Sequence, residues 1–171
     1  MLKIAAHEAA QLHSIKIETD HILIAITKIA EIGETIEKKQ STYGEAQLLE
    51  ISSEARKISE AFREISIPTK RFRDQLRGAL SSQMESHYCI PEIFHRSDEC
   101  KTAFRNAKLN TQKELEVQLI HLLLSILQNC SLIARKVIAY QGLELDNVVS
   151  IIENHYLIVT ALQSKINPEL N

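Results

Sequence analysis

The chain has 171 residues, a formal net charge of −2 and 44% hydrophobic residues. That length fits one large domain or two small intimate ones and can bury a substantial core without staples. The near-neutral charge speaks against a nucleic-acid polycation and against an acidic tail protein.

Four Gly, three Pro and no Trp point to long helices around an aliphatic core. Leu2 to Leu12 reads as the first helix, with Ala5, Ala9 and Leu12 at helical spacing and Ile4 on the same side. His13-Ser14-Ile15-Lys16 forms a loop into Thr19, a good N-cap residue, with Asp20 at the positive helix end. The next helix is expected to bury Ile22, Ile26 and Ile29 and to end near Gly33, followed by a short polar helix from Glu34 to Gln40. Leu48, Ile51, Ala55, Ile58, Phe62 and Ile65 alternate spacings of three and four, the cleanest amphipathic pattern in the chain. Pro68 is expected to end that helix. Thr69 to Leu80 makes another, with Phe72, Leu76 and Leu80 on one side and Lys70, Arg71, Arg73 and Arg77 on the rest.

Ser81 to Phe94 reads as a connector, and Ser97 caps a helix through Ala103, Phe104 and Ala107. Thr111-Gln112-Lys113-Glu114 matches a capping box, so the apolar helix running to Leu127 is expected to start well before His121. Leu132, Ile133, Val137 and Ile138 sit on a short helix closed by Gly142. Asp146 is expected to cap the last helix, which carries Val148, Val149 and Ile152, before Pro168 and a polar tail. No segment alternates like a strand, so the fold class is all-α. No secretory signal is evident, and no apolar run reaches the ~20 residues that span a bilayer. Cys89, Cys100 and Cys130 are odd in number and widely spaced, which suits reduced thiols in a cytoplasm.

One stretch recurs. Ile17-Glu18-Thr19-Asp20-His21 leads into Ile22-Leu23-Ile24, and Val117-Gln118-Leu119-Ile120-His121 leads into Leu122-Leu123-Leu124. Each runs as a β-branched residue, three residues, a His and an apolar helical run. The recurrence predicts two copies of one helical unit. Ala9 to Leu23, with Thr19-Asp20-His21 in place of Thr-Glu-His, resembles the first repeat of the Clp ATPase N-terminal domain family. Phe94-His95-Arg96-Ser97, His121-Leu122-Leu123-Leu124 and Tyr140 to Asp146 resemble its second repeat.

The resemblance implies two pseudo-symmetric multi-helix repeats within a single domain over 1–171. Residues 1–44 form repeat one, 45–93 an extended helical connection, 94–155 repeat two, and 156–171 the helix end and tail. It implies a non-catalytic, cofactor-free module of a Clp-type AAA+ unfoldase that receives substrate or adaptor proteins for unfolding or proteolysis. The alternative is a free-standing accessory subunit that binds a Clp ATPase or protease. Neither nucleic acid nor membrane is an expected partner, and no GxxxxGK[ST] loop marks a P-loop ATPase.

The residues that the resemblance implies for protein binding are Thr19, Asp20, His21 and His121. For both His residues the favoured reading is architectural, a ring packed inside its own repeat and bonded to a nearby backbone carbonyl. Some Clp family members hold phosphoarginine through the Glu of each Thr-Glu-His; the resemblance carries over only Thr19 and Asp20, a single weakened site, because Ile120 has no charge to offer a guanidinium. His87, Cys89, His95 and Cys100 are the candidate zinc set, although their spacing matches no standard knuckle. Neither Cys89 nor Cys100 has a partner that marks it as a nucleophile. Lys70, Arg71, Arg73 and Arg77 offer a phosphate or an acidic partner a basic face, with a solvated surface as the favoured reading. The Leu48–Ile65 stripe reads first as a core face and second as a dimer or docking surface.

Overall fold

The computed structural model describes residues 1–36, 45–82, 91–111 and 116–166. Among them the fold is all-α: α1 (Leu2–Gln11), α2 (Thr19–Ile36), α3 (Glu45–Glu64), α4 (Thr69–Ser81), α5 (Asp98–Asn110), α6 (Leu119–Gln128), α7 (Leu132–Tyr140) and α8 (Leu145–Ile166). The strand-free expectation has one small exception. Strands β1 (Lys16–Ile17) and β2 (His95–Arg96) pair in parallel, Lys16 with His95 and Ile17 with Arg96. The Ser97 N–H then donates to the Ile17 carbonyl at 3.0 Å. Ile17 is buried and anchors this link to the core.

Two helices are apolar all round, which marks them as central. In α2, Ile22 through Thr27 are all 0% exposed. That helix touches α1, α3, α4, α5 and α6. In α6, Ile120 through Leu127 are buried, and the helix touches α2, α3, α5 and α8. Each fully buried Ile or Leu contributes about 1.5–3 kcal/mol of transfer energy, so these two segments dominate core stability.

Three helix ends close in the same way, with a left-handed residue and a pair of turn bonds. After α1, His13 has φ 55° and Ser14 N–H reaches Ala9 O at 2.9 Å. After α3, Ser66 has φ 56° and Ile67 N–H reaches Phe62 O at 3.0 Å. After α7, Gly142 has φ 78° and Leu143 N–H reaches Ile138 O at 3.4 Å. Gly142 therefore stops α7 as expected, whereas α3 stops at the Ser66 turn before Pro68 comes into play.

Other boundaries also differ from expectation. Helix α2 runs past Gly33 to Ile36, and residues 37–40 lie outside the described residues. Ile29 is only half-buried, because full coverage of α2 is confined to Ile22 through Thr27 and the helix then emerges, with Ile32 47% exposed. Residues 112–115 of the expected Thr111 capping box lie outside the described residues. Thr111 closes α5, its hydroxyl donating to Lys108 O at 2.7 Å, and α6 starts at Leu119. Asp146 lies in the first turn of α8 rather than before it. Ser97 does cap α5, accepting from Cys100 N–H at 3.1 Å. The α3 stripe is a core face at Ala55, Ile58, Phe62 and Ile65. Leu48 and Ile51, most of the 81–94 connector and the Pro168 tail lie outside the residues whose side chains are described. Among the described residues no single helix is long and apolar enough to cross a membrane.

Candidate functional site

The four candidate binding residues sit at the starts of α2 and α6, and all are buried. Thr19, Asp20, His21 and His121 are 7%, 5%, 0% and 4% exposed. In this arrangement their side chains face the protein interior rather than an exposed face.

The two histidines do the same work. The backbone N–H of Glu18 donates to His21 Nδ1 at 2.9 Å, and that of Gln118 donates to His121 Nδ1 at 3.0 Å. Each His is the third residue of its helix and reaches back to the residue before the helix, as Glu or Gln does in a capping box. The bond is the reverse of the expected one: the ring accepts from an N–H rather than donating to a carbonyl. Thr19 is consequently the first helical residue rather than the cap, since Glu18 O takes the His21 and Ile22 N–H groups.

An accepting Nδ1 leaves the proton on Nε2. In His121 that atom lies 2.7 Å from the Tyr156 hydroxyl, and the two rings meet edge to face with centroids 4.9 Å apart. In His21 the buried Nε2 has no hydrogen-bond partner among the described residues. Burial lowers the His21 pKa to about 4, against the opposing pull of the Glu8 charge. Burial, aided by the Lys57 charge, also lowers that of His121. Both rings are therefore held neutral, as their capping role requires.

The α6 start is reinforced by α3. Glu54 Oε2 accepts the Leu119 N–H at 2.7 Å, and Lys57 Nζ donates to Gln118 Oε1 at 3.1 Å. A carboxylate at the first free N–H of a helix matches the helix dipole.

Asp20 is engaged inside the protein. Its Oδ1 accepts from Ser131 Oγ at 2.7 Å, and Ser131 also caps α7 by accepting from Ala134 N–H at 3.0 Å. Burial raises the Asp20 pKa, with the Ser131 bond opposing and the Glu18 charge adding. The Ser131→Ala variant is expected to lose about 1–3 kcal/mol, because one change removes a helix cap and the hydrogen bond to a buried carboxyl. Urea unfolding measures this, and a loss below about 0.5 kcal/mol would contradict it.

The basic run on α4 divides in two. Arg77 Nε and Nη2 each donate to the Glu8 carboxylate at 2.8 Å, and Lys28 Nζ pairs with the same group. Arg73 is 7% exposed and its Nη1 lies 2.9 Å from Glu31 Oε2. These two arginines thus leave the solvated face expected of them, while Lys70 and Arg71 stay on it.

Of the candidate zinc set, His87 and Cys89 lie outside the described residues. His95 is exposed on β2, whereas Cys100 is buried on α5. Among the described residues no three His, Cys, Asp or Glu side chains are grouped to hold a metal ion. Burial pushes the Cys100 thiol up to about 11 and the Cys130 thiol up to about 12, the latter with help from Asp20. Neither is a thiolate near neutral pH, which is the form a nucleophile needs.

The described residues thus form an all-α bundle built on two His-opened central helices and joined across the chain by a short parallel strand pair. The chain matches no protein-family model and no curated protein.

Proposed function

We propose that the chain is a non-catalytic protein-binding module similar to the N-terminal domain of Clp-type AAA+ unfoldases. It receives adaptor or substrate proteins in the cytoplasm ahead of ATP-dependent unfolding or proteolysis. The observation that carries this reading is the matched pair of helix starts. Helices α2 and α6 are both central and apolar, and each is opened by a His whose Nδ1 takes the preceding N–H, at 2.9 and 3.0 Å.

On this reading each half is a four-helix repeat, α1 to α4 and then α5 to α8. The left-handed turns at Ser66 and Gly142, which join α3 to α4 and α7 to α8, support that division. Helices α3 and α4 then belong to the first repeat rather than to an inserted middle. The high thiol pKa values of Cys100 and Cys130 favour a binding role over thiol chemistry. Since Thr19, Asp20, His21 and His121 are buried, their role here is to set the geometry of a surface built from other residues.

The test is affinity capture with the whole chain as bait in extract of its own cells. Recovery of an unfoldase ring, its adaptors or its clients supports the proposal. Recovery of nucleic acid alone contradicts it.

A further inference from the structure

Most of the basic residues of α3 and α4 near the core are committed. Arg73 and Arg77 pair with Glu31 and Glu8, and Lys57 is bonded to Gln118. Arg63, Lys70 and Arg71 are different. All three are exposed, and among the described residues no carboxylate forms an ion pair with them. They also lie together. Arg63 lines a cleft with Ser66, Pro68 and Thr69, Lys70 and Arg71 line a second one, and Pro68 belongs to both. One acid, Asp74, lines this double cleft, and its Oδ1 lies 3.6 Å from Arg77 Nη1.

Two of these cations stand where they oppose local stability. Lys70 and Arg71 occupy the first turn of α4, which has no acid and no side-chain cap. Cations there work against the helix dipole, by about 0.3–1 kcal/mol each. After the equivalent turn at Gly142, the head of α8 carries Glu144 and Asp146 instead.

We infer that the α3–α4 corner is a docking surface for an acidic, Asp- and Glu-rich segment of a protein partner. Charge complementarity selects that occupant: three unpaired cations around a shared cleft neutralise carboxylates spaced along an extended chain. Single-stranded nucleic acid fits less well, because base stacking needs exposed aromatic rings. The two aromatics of this corner, Phe62 and Phe72, are 3% and 1% exposed. The inference takes its class of partner from the protein-binding reading above but stands on its own residues. Exposed charges of this kind act mainly on encounter rate and salt dependence, so binding is modest and weakens as salt rises.

The test uses the full chain and a fluorescein-labelled peptide of alternating Glu and Asp, followed by anisotropy at low and physiological salt. Saturable binding is expected. The triple variant Arg63→Glu, Lys70→Glu, Arg71→Glu is expected to weaken it by about tenfold or more. The control Arg105→Glu, Lys108→Glu, two exposed cations of α5, is expected to leave it unchanged. The triple variant should melt close to the parent, since acids suit the α4 start at 70 and 71 whereas Arg63→Glu opposes the dipole in the last turn of α3; if it fails to fold, Lys70→Gln with Arg71→Gln replaces it. Absence of saturable binding overturns the inference. So does an equal loss in the α5 control, or tighter binding of a single-stranded oligonucleotide at the same salt. If the peptide fails while the chain still captures an unfoldase from extract, this inference falls and the proposed function stands. If the peptide binds and the extract yields no unfoldase, adaptor or client, the reverse holds.

Discussion

Replacing His21 with Ala is expected to cost about 3–5 kcal/mol of stability, measured by urea unfolding. Two losses add. The ring fills a site that is 0% exposed, so its removal leaves a cavity that the packed core closes only in part. The Glu18 N–H, now served by Nδ1 at 2.9 Å, is left without its partner. His21→Gln separates the two, because Gln at the third helical position is an ordinary capping-box residue. It is expected to recover part of the loss, and Gln and Ala behaving alike would show that the cap contributes nothing.

The same site predicts a pH dependence. His21 titrates at about 4 in the folded chain against an ordinary value of 6.5. The folded state therefore binds fewer protons than the unfolded state between those values. Stability is fully present above about pH 6.5 and falls as pH drops towards 4, by up to about 3 kcal/mol. His121 is shifted in the same direction and adds to the effect. Asp20 works against it. Its raised folded pKa means that stability falls as pH rises from 3.8 through the folded value. In the Asp20→Asn variant, which removes the opposing group, a stability that stays flat between pH 7 and pH 4.5 would contradict the neutral, buried state of His21.

Replacing Glu8 with Ala is the second large effect, about 3–5 kcal/mol. Glu8 is 0% exposed on α1, in the same stripe as Ala5, Ala9 and Leu12, and it gathers Arg77 from α4 and Lys28 from α2. Its removal leaves two cations facing the core. They are about a third exposed, at 30% and 28%, so they can turn partly to solvent, which places the loss at the lower end of the range. Double replacement, Glu8→Leu with Arg77→Leu, is expected to recover much of it, because a buried ion pair contributes less than its rupture costs. If the double variant is as unstable as Glu8→Ala, the stranded Arg77 is not the source of the loss, which then lies in Lys28 or in packing on α1. Burial alone would raise the Glu8 pKa, but Arg77 and Lys28 overcome it and hold the carboxyl below its ordinary 4.5. This contribution is present above that value and is lost as pH falls through the lowered one, so it extends acid unfolding below the His21 window.

Much of the fold was legible because helical periodicity reports burial directly. The Ala55-Ile58-Phe62-Ile65 stripe, the Ser97 cap and the Gly142 stop all stand where spacing and residue type put them. The misses share a cause: they depend on contacts far apart in the chain. The β1–β2 link is two residues long on each side and exists only because two loops meet. The α6 start was misplaced because Thr111 has the side chain of a cap, whereas Glu54 supplies the nearest carboxylate from 65 residues away. Ser66 takes a conformation usually signalled by Gly or Asn, so its turn left no trace in composition.

The candidate site was legible as a pattern and not as a role. The recurring His could be found from the sequence, but the direction of its hydrogen bond could not. Glu8, Arg73 and Arg77 escaped because a charged residue is ordinarily assigned to solvent, and only the packed structure shows acid and base meeting inside. Asp20 was read as an acid at a helix start, which it is, but its partner Ser131 lies 111 residues further on.

The claim at the centre of this account is that His21 and His121 are neutral helix caps and not a reactive or partner-binding pair. Long-range proton–nitrogen NMR correlation of the histidine rings near pH 7 tests it most directly. The account predicts that both rings are neutral near pH 7, with the proton on Nε2 and an unprotonated Nδ1, and that His21 stays so well below pH 6. An imidazolium at either position near pH 7, or a proton on either Nδ1, would contradict it.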